Sequence, residues 1–331
     1  MTVRYSLVLP IYNEAEVLPL LFNQLDALLA VMDGDAEIVL VNDGSRDSSL
    51  KLMREKAKTD ERYRIYNLSR NFGHQIAITA GMDVAQGDAV IVMDADLQDP
   101  PEVVLQMIAK WQEGFAVVSA KRVAREGESM FKRATAAIFY RVLQSMSPVQ
   151  FEMDVGDFRL LDRSVLDAFK SMREQDRFVR GMISWLGFEQ TTIEFVRAER
   201  AAGETKYPLF RMLKLAADGI LGFSDMPLRA ALWVGALVSA LAVFYGLFVI
   251  AGWLVNGQLV EGWTSTVVTL AFLGGINLMM TGVVGLYVGR IHNEVKGRPL
   301  YILDPATQER AARNTTAPVI GDSAPVTHRR A

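Results

Sequence analysis

Three carboxylates and an amide stand close together in the run Val92 to Pro101, VMDADLQDPP, as Asp94, Asp96, Asp99 and Gln98. Their oxygens are hard donors, and an Asp-x-Asp pair of this kind can hold Mg²⁺ or Mn²⁺ where the ion neutralises a diphosphate. The same spacing also suits a solvated turn closed by Pro100 and Pro101. The element in front carries the distinction. Asp88 to Met93, DAVIVM, is apolar and β-branched enough for a central strand. The carboxylates would then emerge at its carboxyl end, where open α/β sheets collect ligands.

The rest of the first half supplies such a sheet. Tyr5 to Ile11, Glu37 to Asn42, Tyr63 to Leu68, Asp88 to Met93 and Ala116 to Ala120 read as strands. Glu14 to Met32, Ser48 to Lys58, Gly73 to Ala85 and Pro101 to Glu113 read as helices between them. That alternation predicts an open, mainly parallel α/β sheet. Its strand ends carry Asn13 and Glu14, then Asp43, then Asp94 with Asp96, so carboxylates from three separated segments can meet along one edge. Taken alone, Asp43 also suits a turn in Asn42-Asp43-Gly44-Ser45, and Glu14 suits a helix start. Farther on, Gly156-Asp157-Phe158-Arg159 precedes a helix expected over Arg163 to Met172, a second helix is expected over Arg177 to Leu186, and Gln190 to Val196 reads as a strand.

Half of the 331 residues are hydrophobic, and the excess lies near one end. Uncharged stretches run between Arg229 and Asn256 and between Glu261 and Arg290, each long enough to cross about 30 Å of hydrocarbon as a helix. They predict a transmembrane hairpin with spans near 230–255 and 264–289. Arg229, Arg290, Lys296 and Arg298 flank it, whereas the connecting Asn256 to Trp263 has no Lys or Arg, so both termini are expected on the cytoplasmic side. Between Lys206 and Phe223, basic Lys206, Arg211 and Lys214 alternate with apolar residues. That segment suits either an interfacial helix or a helix packed on the soluble part. The resulting division is a catalytic domain over 1–205, an interfacial region over 206–227, the hairpin over 228–290, and a tail over 291–331 whose polar end is expected to be disordered.

Composition removes several classes of chemistry. With no cysteine there are no disulfides, thiolate metal ligands or cysteine nucleophile, which fits a reducing compartment. A net charge of −3 with dispersed basic residues gives no reason to expect a nucleic-acid partner. The first apolar run, Tyr5 to Ile11, is short and meets Asn13 and Glu14, so a strand is expected there and not a cleavable signal.

The segments LVLPIYNE (Leu7 to Glu14), VNDGSRD (Val41 to Asp47), LSRNFGHQIAITAG (Leu68 to Gly81), VMDADLQDPP, GDFRLLDR (Gly156 to Arg163) and RAAGETKYP (Arg200 to Pro208) together resemble family-2 glycosyltransferases. The similarity is to those acting on polyprenyl phosphate, the dolichyl-phosphate mannose synthases and bacterial bactoprenol glucosyltransferases, and it spans most of residues 3 to 300. The resemblance implies a GT-A, Rossmann-like nucleotide-sugar-binding fold in a bacterial plasma-membrane enzyme. It also implies inverting transfer of a sugar to a membrane polyprenyl phosphate. By the same resemblance, Pro10, Tyr12, Glu14, Asp43 and Asp94 line the nucleotide-sugar site, Asp96 and Gln98 hold Mg²⁺ or Mn²⁺, and Arg200 and Lys206 bind phosphate beside a catalytic Asp157. Ala201 stands where relatives often have Phe, so packing over the acceptor differs there.

Asp157 matches a position regarded in relatives as the catalytic base. A phosphate monoester has a second pKa of about 6, however, so the acceptor is already largely a dianion at neutral pH and needs proton removal less than a hydroxyl does. Proton removal, orientation of the acceptor and contact with the sugar are all open roles for Asp157. The donor that the resemblance favours is UDP-glucose; GDP-mannose, UDP-galactose, UDP-N-acetylglucosamine or an aminosugar would satisfy the same phosphate chemistry. A processive polysaccharide synthase fits less well, because its Gln-x-x-Arg-Trp signature is replaced by RFVRGMISW at Arg177 to Trp185. A non-catalytic scaffold delivering lipid-linked sugars to a flippase is a further alternative, opposed by the intact polar set. Gly274, Gly275, Gly282 and Gly285 suit close helix packing, within one chain or in a homo-oligomer.

Overall fold

The computed structural model describes residues 3–122, 155–196, 226–256 and 262–305. Strands and helices alternate from the start: β1 (Tyr5–Ile11), α1 (Leu18–Val31), β2 (Ala36–Asn42), α2 (Ser49–Thr59), β3 (Tyr63–Asn67), α3 (His74–Val84), β4 (Ala89–Val92), α4 (Pro101–Gln112) and β5 (Val117–Arg122). After the gap in description come β6 (Val155–Asp162), α5 (Arg163–Ser171), α6 (Val179–Trp185), β7 (Gln190–Phe195), α7 (Met226–Asn256) and α8 (Trp263–Val295). The described strands make one seven-stranded sheet in the order β3-β2-β1-β4-β6-β5-β7. The β1–β2, β2–β3, β1–β4 and β5–β7 pairs are parallel, and only β6 runs against its neighbours.

The central strands are apolar on both faces because both faces are covered. Along β1, Leu7 and Leu9 join the side chains of α1 and α4, while Val8 points to the opposite layer with α3, α5 and α6. The same two-residue period divides Ile38 and Leu40 from Val39 and Val41 on β2. Burying this many branched side chains, each worth about 1.5–3 kcal/mol, fixes the register that aligns the strand ends. Gly81 brings α3 close to the sheet: a Cβ there would lie 2.3 Å from Val8 Cγ1 and 3.0 Å from Val41 Cγ2.

The start of α1 and the strand β6 differ from the sequence expectation. Helix α1 begins at Leu18 and not at Glu14, because Pro19 suits the first turn of a helix but would break one already five residues long. The segment Gly156 to Arg159 belongs to β6, an antiparallel strand inserted between β4 and β5, for which the sequence had suggested only the helix that follows.

Two C-terminal helices are long and apolar enough to cross a membrane, with candidate spans Leu228–Phe248 and Ser265–Val295. They contact one another and expose Trp233, Phe244, Phe248, Leu270 and Leu278. Helix α8 runs to Val295, past the expected end near 289. The chain then returns to the α/β domain. Ser69 N donates to Ile302 O at 2.8 Å and Asp304 N to Asn67 O at 2.8 Å, flanking an antiparallel bridge between Leu68 and Leu303. Tyr301 Oη donates to Asp83 Oδ2 at 2.9 Å, and Gln175 joins both Glu294 and the carbonyl of Arg298, each at 2.7 Å. This strap pairs with the chain just beyond the carboxyl end of the edge strand β3 and ties the hairpin to the sheet. Of the segment expected to be interfacial, 206–227, residues 206–225 lie outside the described residues, as does the end of the tail, and Met226 and Pro227 begin α7.

Candidate active site

Sheet register decides which side chains meet. Because β1, β2 and β4 are parallel and paired Ile11 to Asn42 and Val8 to Val92, the residues following each strand share one edge. Pro10, Tyr12 and Glu14 belong to the end of β1, Asp43 to that of β2, and Asp94 to that of β4. Strand β6 runs the other way, with Val92 opposite Arg159, and extending that antiparallel pairing by two residues sets Asp157 against Asp94. The edge lies where the order of strands reverses between β1 and β4, the place where open α/β sheets bind ligands.

Pro10 is buried within a central strand without loss of a ladder bond. Val8 O accepts from Met93 N, so the two-residue period turns Pro10 toward the same side, where β4 has already ended. Tyr12 is 44% exposed, a large ring held open at the rim. The backbone of Glu14 donates to Ser49 Oγ at 2.9 Å, and Asn13 exchanges bonds with Ser45 Oγ and Arg46 N, lacing the β1 loop to the β2 loop.

Asp43 is buried, and its two carboxylate oxygens accept from Phe72 N at 2.7 Å and Gly73 N at 3.0 Å. Burial pushes its pKa up against the pull of those donors. It therefore holds the loop that leads into α3 as well as facing the edge. Gly44 makes this approach possible: its φ is +67°, and a Cβ would sit 2.5 Å from Asn71 N.

The turn after β4 is strained and folded on itself. Leu97 has φ +60°, a costly conformation for a branched residue. Around it Asp99 Oδ2 accepts from Asp94 N at 3.1 Å, and Asp96 Oδ1 accepts from Gln98 N at 3.2 Å. Burial, reinforced by the Asp94 charge, pushes Asp99 up to about 7. Asp94 Oδ1 and Asp99 Oδ1 are buried and make no hydrogen bond, with His74 Nε2 3.5 Å from the first of them. Two orphaned acceptors beside Asp96 and Gln98 make an oxygen-only set that suits Mg²⁺ or Mn²⁺. Among the described residues no three carboxylate, His or Cys side chains are already gathered as a metal cage, so the ligand oxygens of a diphosphate would complete the sphere.

Opposite this turn, Asp157 is buried and surrounded by donors. Arg180 approaches Oδ1 through Nε at 2.9 Å and Oδ2 through Nη2 at 3.3 Å, Gln75 Nε2 donates to Oδ2 at 3.0 Å, and His74 Nε2 lies 3.3 Å from Oδ2. Burial by itself would raise the carboxyl, but the bond to His74 and the Arg180 charge outweigh it and hold Asp157 far below the usual carboxylate range. His74 also reaches Asp94 Oδ1 at 3.5 Å, joining the two sides of the site. Burial lowers its pKa, yet the bond to Asp157 and the Asp94 charge leave it raised. Beneath them Arg159 is 3% exposed, bonded to Gly156 O at 2.7 Å and lowered by burial to about 10 against the attraction of Asp157.

The structure thus gathers Pro10, Tyr12, Glu14, Asp43, Asp94, Asp96, Gln98 and Asp157 at one edge. Arg200 and Lys206 lie outside the described residues. Three partners were not singled out from the sequence: His74, Gln75 and Arg180. The first two stand at the start of a helix just after Gly73, where side chains commonly face a sheet edge; Arg180 sits in a segment that reads only as a helix.

Comparison with known proteins places the chain in a family. Residues 6–169 match the Glycosyl transferase family 2 family. An uncharacterized glycosyltransferase of Bacillus subtilis is 50% identical over 301 residues, covering 91% of this chain and 93% of that one. A bactoprenol glucosyl transferase of Shigella phage SfII is 41% identical over 300 residues, covering 91% and 97%, and a prophage bactoprenol glucosyl transferase homolog of Escherichia coli is 40% identical over 300 residues, covering 91% and 98%. With identity of this degree over nine-tenths of its length, the chain is a glycosyltransferase that belongs to glycosyltransferase family 2.

Proposed function

We propose that this enzyme transfers glucose from UDP-glucose to a membrane polyprenyl phosphate, with inversion at the anomeric carbon. The observation that carries the reading is the single edge on which Asp43, Asp94 and Asp157 converge, in a chain whose apolar hairpin is strapped to that same domain. The relatives named as bactoprenol glucosyl transferases support glucose and the lipid acceptor. Flanking Arg229, Arg290, Lys296 and Arg298 favour a hairpin with the catalytic domain and both termini on the cytoplasmic side.

In this mechanism an acceptor phosphate oxygen attacks the anomeric carbon as the bond from that carbon to the diphosphate oxygen breaks, so one displacement gives the inverted product. Asp94, Asp96 and Gln98 would hold Mg²⁺ or Mn²⁺, which neutralises charge on the departing diphosphate. Asp43 and the rim formed by Pro10, Tyr12 and Glu14 bind the nucleoside. Arg200 and Lys206 bind phosphate, reducing repulsion between two anionic substrates. Asp157 orients and does not take a proton: its oxygens are occupied by donors, its proton affinity is far below neutrality, and a dianionic acceptor has no proton to remove.

Isolation of the lipid product tests this reading. Phosphorus and proton NMR should show one hexose joined through its anomeric carbon to an oxygen of the polyprenyl phosphate, with the configuration opposite to that in the donor. A retained configuration would contradict single displacement.

A further inference from the structure

The chain carries a side chain with two hydrogen bonds that the reaction scheme above does not use. Gln75 Nε2 donates to Asp157 Oδ2 at 3.0 Å, and the same amide's Oε1 accepts from Val179 N at 3.0 Å. Val179 is the first residue of α6, a helix whose N-cap residue, Phe178, makes no side-chain cap bond. The exposed first-turn donors of a helix need an acceptor, and Gln75 supplies one from another element. The next residue, Arg180, is the one that grips Asp157 through Nε at 2.9 Å and Nη2 at 3.3 Å. Gln75 itself is fixed by Thr79, whose hydroxyl donates to the Gln75 carbonyl at 2.8 Å, and by the close seating of α3 on the sheet at Gly81.

We propose that Gln75 is a positioning residue for sugar transfer, which sets the Arg180–Asp157 pair by holding α6 and Asp157 with the two ends of one amide. The inference rests on the reading that Asp157 orients the reacting groups. Its chemistry is specific to glutamine. An acceptor is required toward Val179 and a donor toward Asp157, and a neutral amide is the side chain of this reach that offers both. Glutamate would keep the acceptor and set a like charge against Asp157. A small misplacement of a group that orients substrates costs on the order of 100-fold in turnover.

The experiment uses the full chain in detergent or nanodiscs, with Gln75→Ala, Gln75→Glu, Arg180→Ala and the Gln75→Ala/Arg180→Ala double variant. It reads kcat and KM for UDP-glucose with polyprenyl phosphate, together with hydrogen exchange across Val179–Trp185. Gln75→Ala should lower kcat on the order of 100-fold with KM for the nucleotide sugar unchanged, and should speed exchange in that helix alone. Gln75→Glu should keep the exchange protection yet lose turnover, and the double variant should lose no more than the worse single one. Losses that multiply in the double variant, full turnover in Gln75→Glu, or a lower melting temperature with unchanged kcat would overturn the proposal. If the wild-type chain forms no lipid-linked sugar, the proposed reaction fails. Exchange then decides the geometry on its own, with unchanged protection at Val179 in Gln75→Ala overturning it.

Discussion

Replacing Asp157 with Asn changes one oxygen and removes one charge, and the surroundings make that small change expensive. In the wild type Oδ1 faces Arg180 Nε, while Oδ2 meets Gln75 Nε2, Arg180 Nη2 and His74 Nε2. An amide keeps its single oxygen on the more crowded side, which turns its NH₂ toward the Arg180 Nε–H and leaves Arg159 buried without a counter-charge. Breaking a buried pair costs about 3–5 kcal/mol. Arg180 and His74 are partly exposed and can recover some solvation, so the expected loss is about 2–3 kcal/mol. For a domain of this size that lowers Tm by about 4–12 °C. The sign of the pH dependence follows from the depressed pKa: the Asp157 contribution is fully present above the unfolded value of about 3.9 and disappears as pH falls through the much lower folded value. The gap in Tm between wild type and variant should therefore be widest near pH 5, narrow above the ordinary His pKa of about 6.5 as His74, whose proton Asp157 helps to hold, gives it up, and narrow again in strong acid. In the lipid-transfer assay kcat should fall on the order of 100-fold, while the midpoint of the acidic limb stays near the acceptor's own second pKa of about 6. A variant as stable as the wild type, whose rate rises tenfold per pH unit where the wild type is flat, would refute the reasoning and restore Asp157 as a base.

Gly44→Ala should cost about 2 kcal/mol or more, since it places a Cβ against backbone at a positive φ. Because the same contact seats the loop held by Asp43, UDP-glucose affinity measured by calorimetry should weaken along with Tm. Tyr301→Phe removes the bond from the strap to Asp83, which Arg173 still satisfies at 2.9 Å, so stability should fall by about 1 kcal/mol. Hydrogen exchange should accelerate over Arg298–Asp304 and Asn67–Ser69 while β1 and β4 remain protected. Uniform exchange in both regions would show that the strap is held by other contacts.

Much of this arrangement was legible because burial on both faces writes itself into composition. Strand β1 is bounded as the apolar run Tyr5 to Ile11 suggests, and the carboxylates after β2 and β4 fall on one edge because parallel strands align their ends. Strand β6 was not legible for a physical reason: Asp157 and Arg159 are of types that usually mark a loop, and only the sheet shows that both are buried. His74, Gln75 and Arg180 were hidden for a related reason. Each acts through partners 20 to 104 positions away in the chain, and no local period reports such pairings. The start of α1 could have been placed better from Pro19 alone.

The central claim is transfer of glucose to a lipid phosphate at the edge formed by β1, β2, β4 and β6. Its most direct test incubates purified protein with polyprenyl phosphate, Mg²⁺ or Mn²⁺, and a panel of radiolabelled nucleotide sugars, and then counts label extracted with the lipid. The account predicts metal-dependent label from UDP-glucose that is lost on Asp96→Ala in a variant that remains folded. Absence of label from every donor, with folding and acceptor insertion verified, would contradict it.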